Sequence, residues 1–341
     1  RTGYPGEVET LFVFDDDIEP ALPVVERVLE QAREAGWPVN ARVVFSGHPP
    51  RGRTGKLNAM IVGLKEAKGE LVAFADSDIR PDLLALTTMV ETLMQSPNAG
   101  SAFSPVVVSQ PPRTVGDAGY ALLLNGLYGA AAAASTKKHG GGLPFIMGQF
   151  MVFNRKALEA IGGLECADGQ LVDDMYLGSQ VTTIGLRNVV SPRQVPIIQE
   201  GLSFSEFLAT YRRWITFSRT GLPGLSFKLT PMLHGIVFWV GLLASAAAAF
   251  AGSWLGAIAM GLAPVAVASS IHSLHEAIGG ARLSFKHRLV PLLLILVSPM
   301  VYLSILTHKQ VNWRGRTYSL DVSSKLAHTP ARPGLESPLP R

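Results

Sequence analysis

Residues 71–78 read LVAFADSD, five apolar positions that break off into Asp76-Ser77-Asp78. A short apolar run ending in acidic turn residues is the pattern of a buried strand whose carboxyl end opens on solvent. Working back from it, Lys56–Lys68 has helical spacing and Ala41–Ser46 (ARVVFS) reads as a strand. Ala21–Ala35 reads as a helix, and Val8–Phe14 (VETLFVF) as a strand that ends in Asp15, Asp16 and Asp17. Strands alternating with helices predict an α/β fold built on a doubly wound, mainly parallel sheet. Such sheets bind ligands outside the carboxyl ends of their strands. Asp15 and Asp76 each fall just past one.

Working forward, a helix is expected from Pro81, because proline suits the first turn. Gln149–Asn154 (QFMVFN) reads as a strand, and Arg155–Ile161 as a helix stopped by Gly162-Gly163. Val172–Ile184 should be helical, with Asp173 and Asp174 at its start. Ser203–Arg219 predicts an amphipathic helix with Phe204, Phe207, Leu208, Tyr211 and Ile215 on one stripe. The stripe is expected to face lipid and Arg213, on the opposite side, the soluble domain.

The character of the chain changes after Pro231. Leu233–Gly252 and Trp254–Leu274 are each long and apolar enough to span a bilayer. Leu289–Leu306 is at the lower limit and carries Pro291 and Pro299. Basic residues on both sides of it, in Arg282–Arg288 and Lys309–Arg316, favour a re-entrant segment under the positive-inside rule. The alanine-rich stretch near Gly129–Ala134 is broken by polar residues and is not read as a span. The Pro- and Ser-rich tail after Tyr318 is expected to be disordered. The domain plan is therefore a catalytic α/β domain over residues 1–230, ending in an interfacial helix. Transmembrane or re-entrant helices follow over 231–308, then a basic motif and tail over 309–341.

Bulk properties agree with that division. The 341 residues are 48% hydrophobic and only 16% charged, with a mean hydropathy of +0.26. The net charge of +4 suits an anionic ligand or membrane surface. No Lys/Arg run interleaved with aromatics points to nucleic acid. The single cysteine, Cys166, excludes an intramolecular disulfide and a thiolate metal cluster, and fits a reducing, cytoplasmic face. A start at Arg1, without methionine or an apolar leader, reads as a trimmed N-terminus.

Five features could carry chemistry. Asp76-Ser77-Asp78 could hold a hard divalent ion that neutralises a departing diphosphate, or could be a polar turn that caps a helix at Pro81. Asp15 sits in a turn where acidic residues are routine. Lys56, in GKLNAM, could reach a phosphate or stand solvated at a helix start. Asp173-Asp174 could supply a general base for an acceptor hydroxyl, or simply cap their helix. Arg212-Arg213-Trp214 could anchor the amphipathic helix at an interface, or Arg213 could clamp a diphosphate in bidentate fashion. His272, His275 and Glu276 do not form a metal motif and read as interfacial.

Together these residues resemble the ceramide glucosyltransferase family within the inverting GT-A glycosyltransferases, and are similar to hopanoid-associated bacterial glycosyltransferases. The resemblance runs from about Val8 to Tyr318. It is carried in order by VFDDDIEPAL (residues 13–22), GKLNAMIVGL (55–64), FADSDIR (74–80), GQFMVFNRKALEAIGG (148–163), LVDDMYLG (171–178), RRW (212–214) and VNWRGRTY (311–318). It implies that Asp15 meets the nucleotide base, and that Asp76 lies near the ribose or diphosphate. Asp78, with Asp76, would bind Mg2+ or Mn2+. Asp174 would be the catalytic base, and Lys56, Asp173, Arg213 and Trp214 would bind the nucleotide sugar with Asp15, Asp76 and Asp78. Thr210 stands where the family's (Q/R)xxRW motif begins, which puts that motif's first role in doubt.

The implied activity is transfer of a hexose, glucose by resemblance, from a cytosolic UDP-sugar to a lipid hydroxyl such as that of ceramide. The enzyme would be an integral membrane protein with its catalytic domain on the cytoplasmic face. The apolar stretch Tyr120–Leu127 and the Ser203–Arg219 helix would line the lipid's approach. The rivals are a processive polysaccharide synthase of the same fold, a catalytically inactive membrane scaffold, and a nucleotidyltransferase.

Overall fold

The computed structural model describes residues 3–221, 225–307, 310–313, 316–320 and 325–326. The tail expected to be disordered lies, beyond 326, outside the described residues. The first half alternates as expected: β1 (Thr10–Phe14), α1 (Leu22–Glu34), β2 (Ala41–Phe45), α2 (Gly55–Glu66), β3 (Leu71–Ala75), α3 (Ala85–Gln95) and β4 (Ala99–Phe103). After β5 (Val106–Val107) comes a long helical stretch, α4 (Val115–Ala121), a π-helical segment (Leu122–Gly129) and α5 (Ala130–Lys138). Then follow β6 (Gly142–Leu143), β7 (Phe150–Asn154), α6 (Arg155–Ala160), α7 (Asp173–Thr183), β8 (Arg187–Val190) and β9 (Val195–Pro196). The chain continues through α8 (Phe204–Gly221), α9 (Leu225–Phe250), α10 (Trp254–Ala277) and α11 (Val290–Thr307) to the hairpin β10 (Gln310–Trp313) and β11 (Arg316–Ser319).

The central sheet has the order β3-β7-β4-β8-β6, and β1 and β2 form a separate parallel pair. The sheet is mixed: β7 runs antiparallel between β3 and β4, β8 is parallel to β4, and β6 is antiparallel to β8. The carboxyl ends of β3, β4 and β8 therefore share one edge with the start of β7. That edge is where Asp76 and Gly148 emerge.

Local chemistry explains several boundaries. The Thr54 hydroxyl accepts the Leu57 N–H at 3.1 Å and starts α2 at Gly55, the role expected of an N-cap threonine. Thr114 and Asp117 form a reciprocal capping box on α4. The helix expected at Pro81 starts four residues later. Ile79 is held instead in a bridge to Ile197, and the Arg80 N–H donates to the Pro196 carbonyl at 2.7 Å. That pairing keeps the acidic turn extended.

The π-helical segment escaped the periodicity. Its wide turn buries Asn125, whose Oδ1 accepts the Val108 N–H at 3.0 Å and whose amide donates to the Val108 carbonyl at 2.9 Å. The same amide lies 3.1 Å from His275 Nδ1, and His275 Nε2 lies 2.9 Å from the Ala281 carbonyl. His275 is thus a buried strut between α10 and the π-helical segment, where the sequence reading put it at an interface.

The stripe on α8 also differs from expectation. Phe207, Tyr211 and Ile215 are buried in the main core, together with residues of α4, α10 and α11, instead of facing lipid. The Tyr211 hydroxyl lies 2.8 Å from Ser298 Oγ on α11, and Phe207 and Tyr211 stack at 6.0 Å. Gly119 allows this approach, because a Cβ there would collide with the Phe207 ring.

Two helices, Trp254–Ala277 and Phe285–Ile305, are long and apolar enough to cross a membrane, and Gly235–Phe250 is a shorter apolar helix. Large apolar side chains stand exposed along them, among them Phe250 at 99% and Leu255 at 85%. An exposed apolar belt of that kind suits lipid better than water. α11 is one continuous helix with Pro299 inside it, so the segment expected to be re-entrant has no break in its helix.

Phe207→Ala is expected to cost about 3–5 kcal/mol of stability through the cavity it leaves. Thermal unfolding in detergent would show this. A near-neutral result would return the α8 stripe to a lipid-facing surface.

Candidate functional site

The site is organised around Lys56, the second residue of α2. Its Nζ lies 2.8 Å from Asp76 Oδ1, just past β3, and donates to the Gly148 carbonyl at 2.9 Å, just before β7. Burial works against the Lys56 ammonium, but Asp76, Asp173 and Asp174 outweigh it and hold its pKa above the ordinary lysine value. Three separate segments, 56, 76 and 173–174, therefore converge on one charge.

Asp173 and Asp174 open α7 without capping it in the usual way. The Asp174 N–H donates to Asp173 Oδ1 at 2.9 Å, and the Met175 N–H donates to Asp174 Oδ1 at 2.8 Å. Asp174 Oδ2 accepts the Gly148 N–H at 2.6 Å. A side chain at 148 would overlap the Asp174 carboxylate, so glycine is required there. Burial pushes the Asp173 carboxyl up to about 6, with Lys56 opposing and Asp174 adding to the rise. Burial raises Asp174 as well, against Lys56 and the two backbone donors.

The acidic turn is fixed from the other side. The Asp76 N–H donates to the Gln149 carbonyl at 2.8 Å, and the Ile198 N–H to the Asp78 carbonyl at 2.7 Å. Asp78 and Asp76 both act electrostatically on Tyr120 of α4, and so does Arg213 of α8 with the opposite sign. Tyr120 is buried, and its ring packs 5.2 Å from that of Trp214. Tyr128 meets Trp214 edge-on at 5.5 Å. The structure thus brings Arg213 and Trp214 to the acidic turn through Tyr120, a residue the sequence reading assigned only to an apolar wall.

Asp15, past β1, is engaged by the far end of the chain. Arg316 Nη2 donates to Asp15 Oδ2 at 2.7 Å, and the Ser46 hydroxyl reaches Asp15 Oδ1 at 3.4 Å. Arg316 and Gly148 were missed as individual residues, although their stretches, VNWRGRTY and GQFMVFN, were singled out.

Among the described residues no cluster of three or more His, Cys, Asp or Glu forms a closed metal cage. The available donors are carboxylate oxygens, Asp76 and Asp78. Such a pair suits a hard divalent ion that takes its remaining ligands from phosphate and water. Asp173 Oδ2 is a buried acceptor with no hydrogen-bond partner among the described residues, as expected where a cation or ligand donor completes the site.

The fold is that of the GT-A class: an α/β domain with acidic residues at the sheet's carboxyl edge, followed by apolar helices. The sequence model of glycosyl transferase family 21 matches residues 1–326, and the chain belongs to that family. It is 23% identical over 323 residues to ceramide glucosyltransferase 3 of Caenorhabditis elegans, covering 92% of this chain and 66% of that protein. It is 25% identical over 223 residues to ceramide glucosyltransferase 1 of the same organism, covering 64% and 45%. The chain thus spans about two thirds or less of the length of these relatives. Among solved structures, mannosyltransferase PcManGT from Pyrobaculum calidifontis, in complex with GDP-Man and Mn2+, is similar with a TM-score of 0.47 and 19% identity, over 86% of this chain and 77% of that one.

Because Asp173 titrates higher folded than unfolded, folding takes up a proton between the ordinary aspartate value and about 6. The stability this group contributes is therefore present at low pH and is lost as pH rises through about 6. Asp173→Asn should raise the melting temperature at pH 7.5, and the gain should shrink below pH 6. A variant less stable than wild type at both pH values would contradict this reading.

Proposed function

We propose that this chain is a membrane-bound inverting glycosyltransferase that moves a hexose from a UDP-sugar to a lipid hydroxyl. Glucose as the sugar and ceramide as the acceptor are supported by the two C. elegans relatives. The observation that carries the reading is the convergence of Asp76, Asp173 and Asp174 on Lys56 at the sheet edge. In this reading Asp76 serves the metal and Lys56 the phosphate, beside Asp174 as the candidate base.

Asp174 takes the proton from the acceptor hydroxyl as the new bond forms at the anomeric carbon, opposite the departing diphosphate. Its two backbone hydrogen bonds fix the carboxylate in place, and its raised pKa makes it a stronger base than a solvated aspartate. Lys56 and Arg213 counter the charge of the diphosphate, and Asp15 lies at the nucleoside end. Asp76 and Asp78 would hold Mg2+ or Mn2+, which when bound neutralises charge developing on the leaving group.

The lipid acceptor is supported by an apolar cavity of about 320 Å3, lined by Phe103, Leu124, Leu143, Met147, Val190 and Ile278 among others. Cavities of this size and lining hold small apolar ligands. Met147 precedes Gly148, the residue hydrogen-bonded to Asp174, and Ile278 directly follows the membrane-length helix α10. The cavity is therefore walled in part by the neighbour of Gly148 and by the residue that ends α10. Placement of the catalytic domain on the cytoplasmic face, over residues 1–230, follows from the need for a cytosolic nucleotide sugar.

The membrane-reconstituted protein, given a panel of UDP-sugars and mixed lipids, should release UDP and yield a lipid carrying one hexose, read by mass spectrometry. A ladder of longer glycans would favour a polysaccharide synthase instead. Asp174→Asn should lower turnover by about 10^2–10^4-fold and leave UDP affinity nearly unchanged. The acid limb of kcat/KM should fall off at a pH above the ordinary aspartate value of about 3.9, because the base must be ionised. A limb at the ordinary value would remove Asp174 from that role.

A further inference from the structure

The hairpin β10–β11 reaches the turn at Asp15 from the far end of the sequence. Val311 and Leu320, with Leu326 beyond them, are buried against Leu171 and Val172, the two residues before Asp173-Asp174. The Leu326 N–H donates to the Gly169 carbonyl at 2.9 Å, and the Gly169 N–H to the Gly52 carbonyl at 2.8 Å. Arg53 adds a two-pronged ion pair to Asp168, at 2.7 and 2.6 Å. The hairpin, the loop before α2 and the loop before α7 are thus laced into one unit. From it Arg316 reaches Asp15 at 2.7 Å, while the Gly55 N–H donates to the Tyr318 hydroxyl at 3.4 Å. A Cβ on Gly55 would land on Arg316 Nη1, so glycine at the start of α2 makes room for the guanidinium next to Lys56.

The charge pattern gives that placement a purpose. Asp15, Asp76, Asp78, Asp173 and Asp174 line this region, and Lys56 and Arg213 are the cations already assigned to the donor. A nucleoside diphosphate brings further negative charge and gains from another fixed donor plate. A guanidinium has five N–H groups in a planar fork, so a carboxylate can orient it and leave donors for phosphate or ribose oxygens. We propose that the β10–β11 hairpin is part of the donor site, and that Arg316, set by Asp15 and by the space at Gly55, contacts the nucleoside diphosphate. This rests on the nucleotide-sugar reading given above. It assigns a binding role to a segment far from the α/β domain in sequence.

The test uses the full chain in nanodiscs with UDP as the probe and Mg2+ present. Arg316→Ala should weaken UDP binding and raise the donor KM by about tenfold or more, with kcat changed far less. Arg316→Lys should not restore affinity, because an ammonium cannot fill the fork. Gly55→Ala should weaken UDP binding in the wild type, yet add nothing in the Arg316→Ala background. Without any substitution, UDP should slow hydrogen exchange at residues 310–319. Equal or tighter UDP binding by Arg316→Ala, an equal Gly55→Ala defect in both backgrounds, or unchanged exchange in the hairpin would each overturn the proposal. Exchange in the wild type decides the matter even if Arg316→Ala fails to fold. Should the wild type bind no nucleoside diphosphate, the nucleotide-sugar reading falls together with this one. Binding by the wild type with an indifferent Arg316 overturns this inference alone.

Discussion

A single half-buried ammonium sets the terms for the rest of the molecule. Lys56 sits among Asp76, Asp173 and Asp174, whose carboxylates hold its half-buried ammonium charged. Satisfying them fixes where α2 begins, where β3 ends and where α7 starts. It also fixes the backbone at Gly148, whose carbonyl accepts from Lys56 and whose N–H donates to Asp174. One glycine residue thus bridges the lysine and the candidate base. The central sheet then has little freedom, because β3 and β7 must leave their shared edge in a register that presents Asp76 opposite Gln149.

How much of this was readable from the sequence depended on how local each cause was. β3 and α2 were visible because period and caps act within a few residues: LVAFA stops at Asp76, and Thr54 caps the turn before Lys56. The acidic pairs were visible for the same reason. The start of α3 was misplaced because a bridge to Ile197, more than a hundred residues away, outweighed a local proline preference. The π-helical segment was missed because its cause, Asn125 bonded to Val108 and His275, is tertiary. The Asp15–Arg316 pair spans 301 positions, and no spacing rule reaches that far.

The α8 stripe shows the limit of amphipathicity as an argument. A helix with one apolar face must bury it, but periodicity cannot say against what. In Ser203–Arg219 the pattern was equally consistent with lipid and with protein. Gly119 and Ser298 decide between them, the first by making room for Phe207 and the second by bonding Tyr211. The result is that α8 joins the α/β domain to α11. Arg213 and Trp214 ride on this helix, so their position relative to the acidic turn depends on packing inside the apolar region.

That coupling bears on how a transfer between a soluble donor and a membrane acceptor can be organised. In the proposed reading the donor end is bounded by Asp15, Gly55 and the β10–β11 hairpin. The candidate base sits on α7, and Met147 and Ile278 both line the apolar cavity. Each boundary belongs to a different stretch of chain, and the hydrogen bonds that join them are mostly part-buried. Asp173 and Asp174 are held above their ordinary pKa values by burial, a cost that a well-packed protein would relieve by substitution unless the charges were needed.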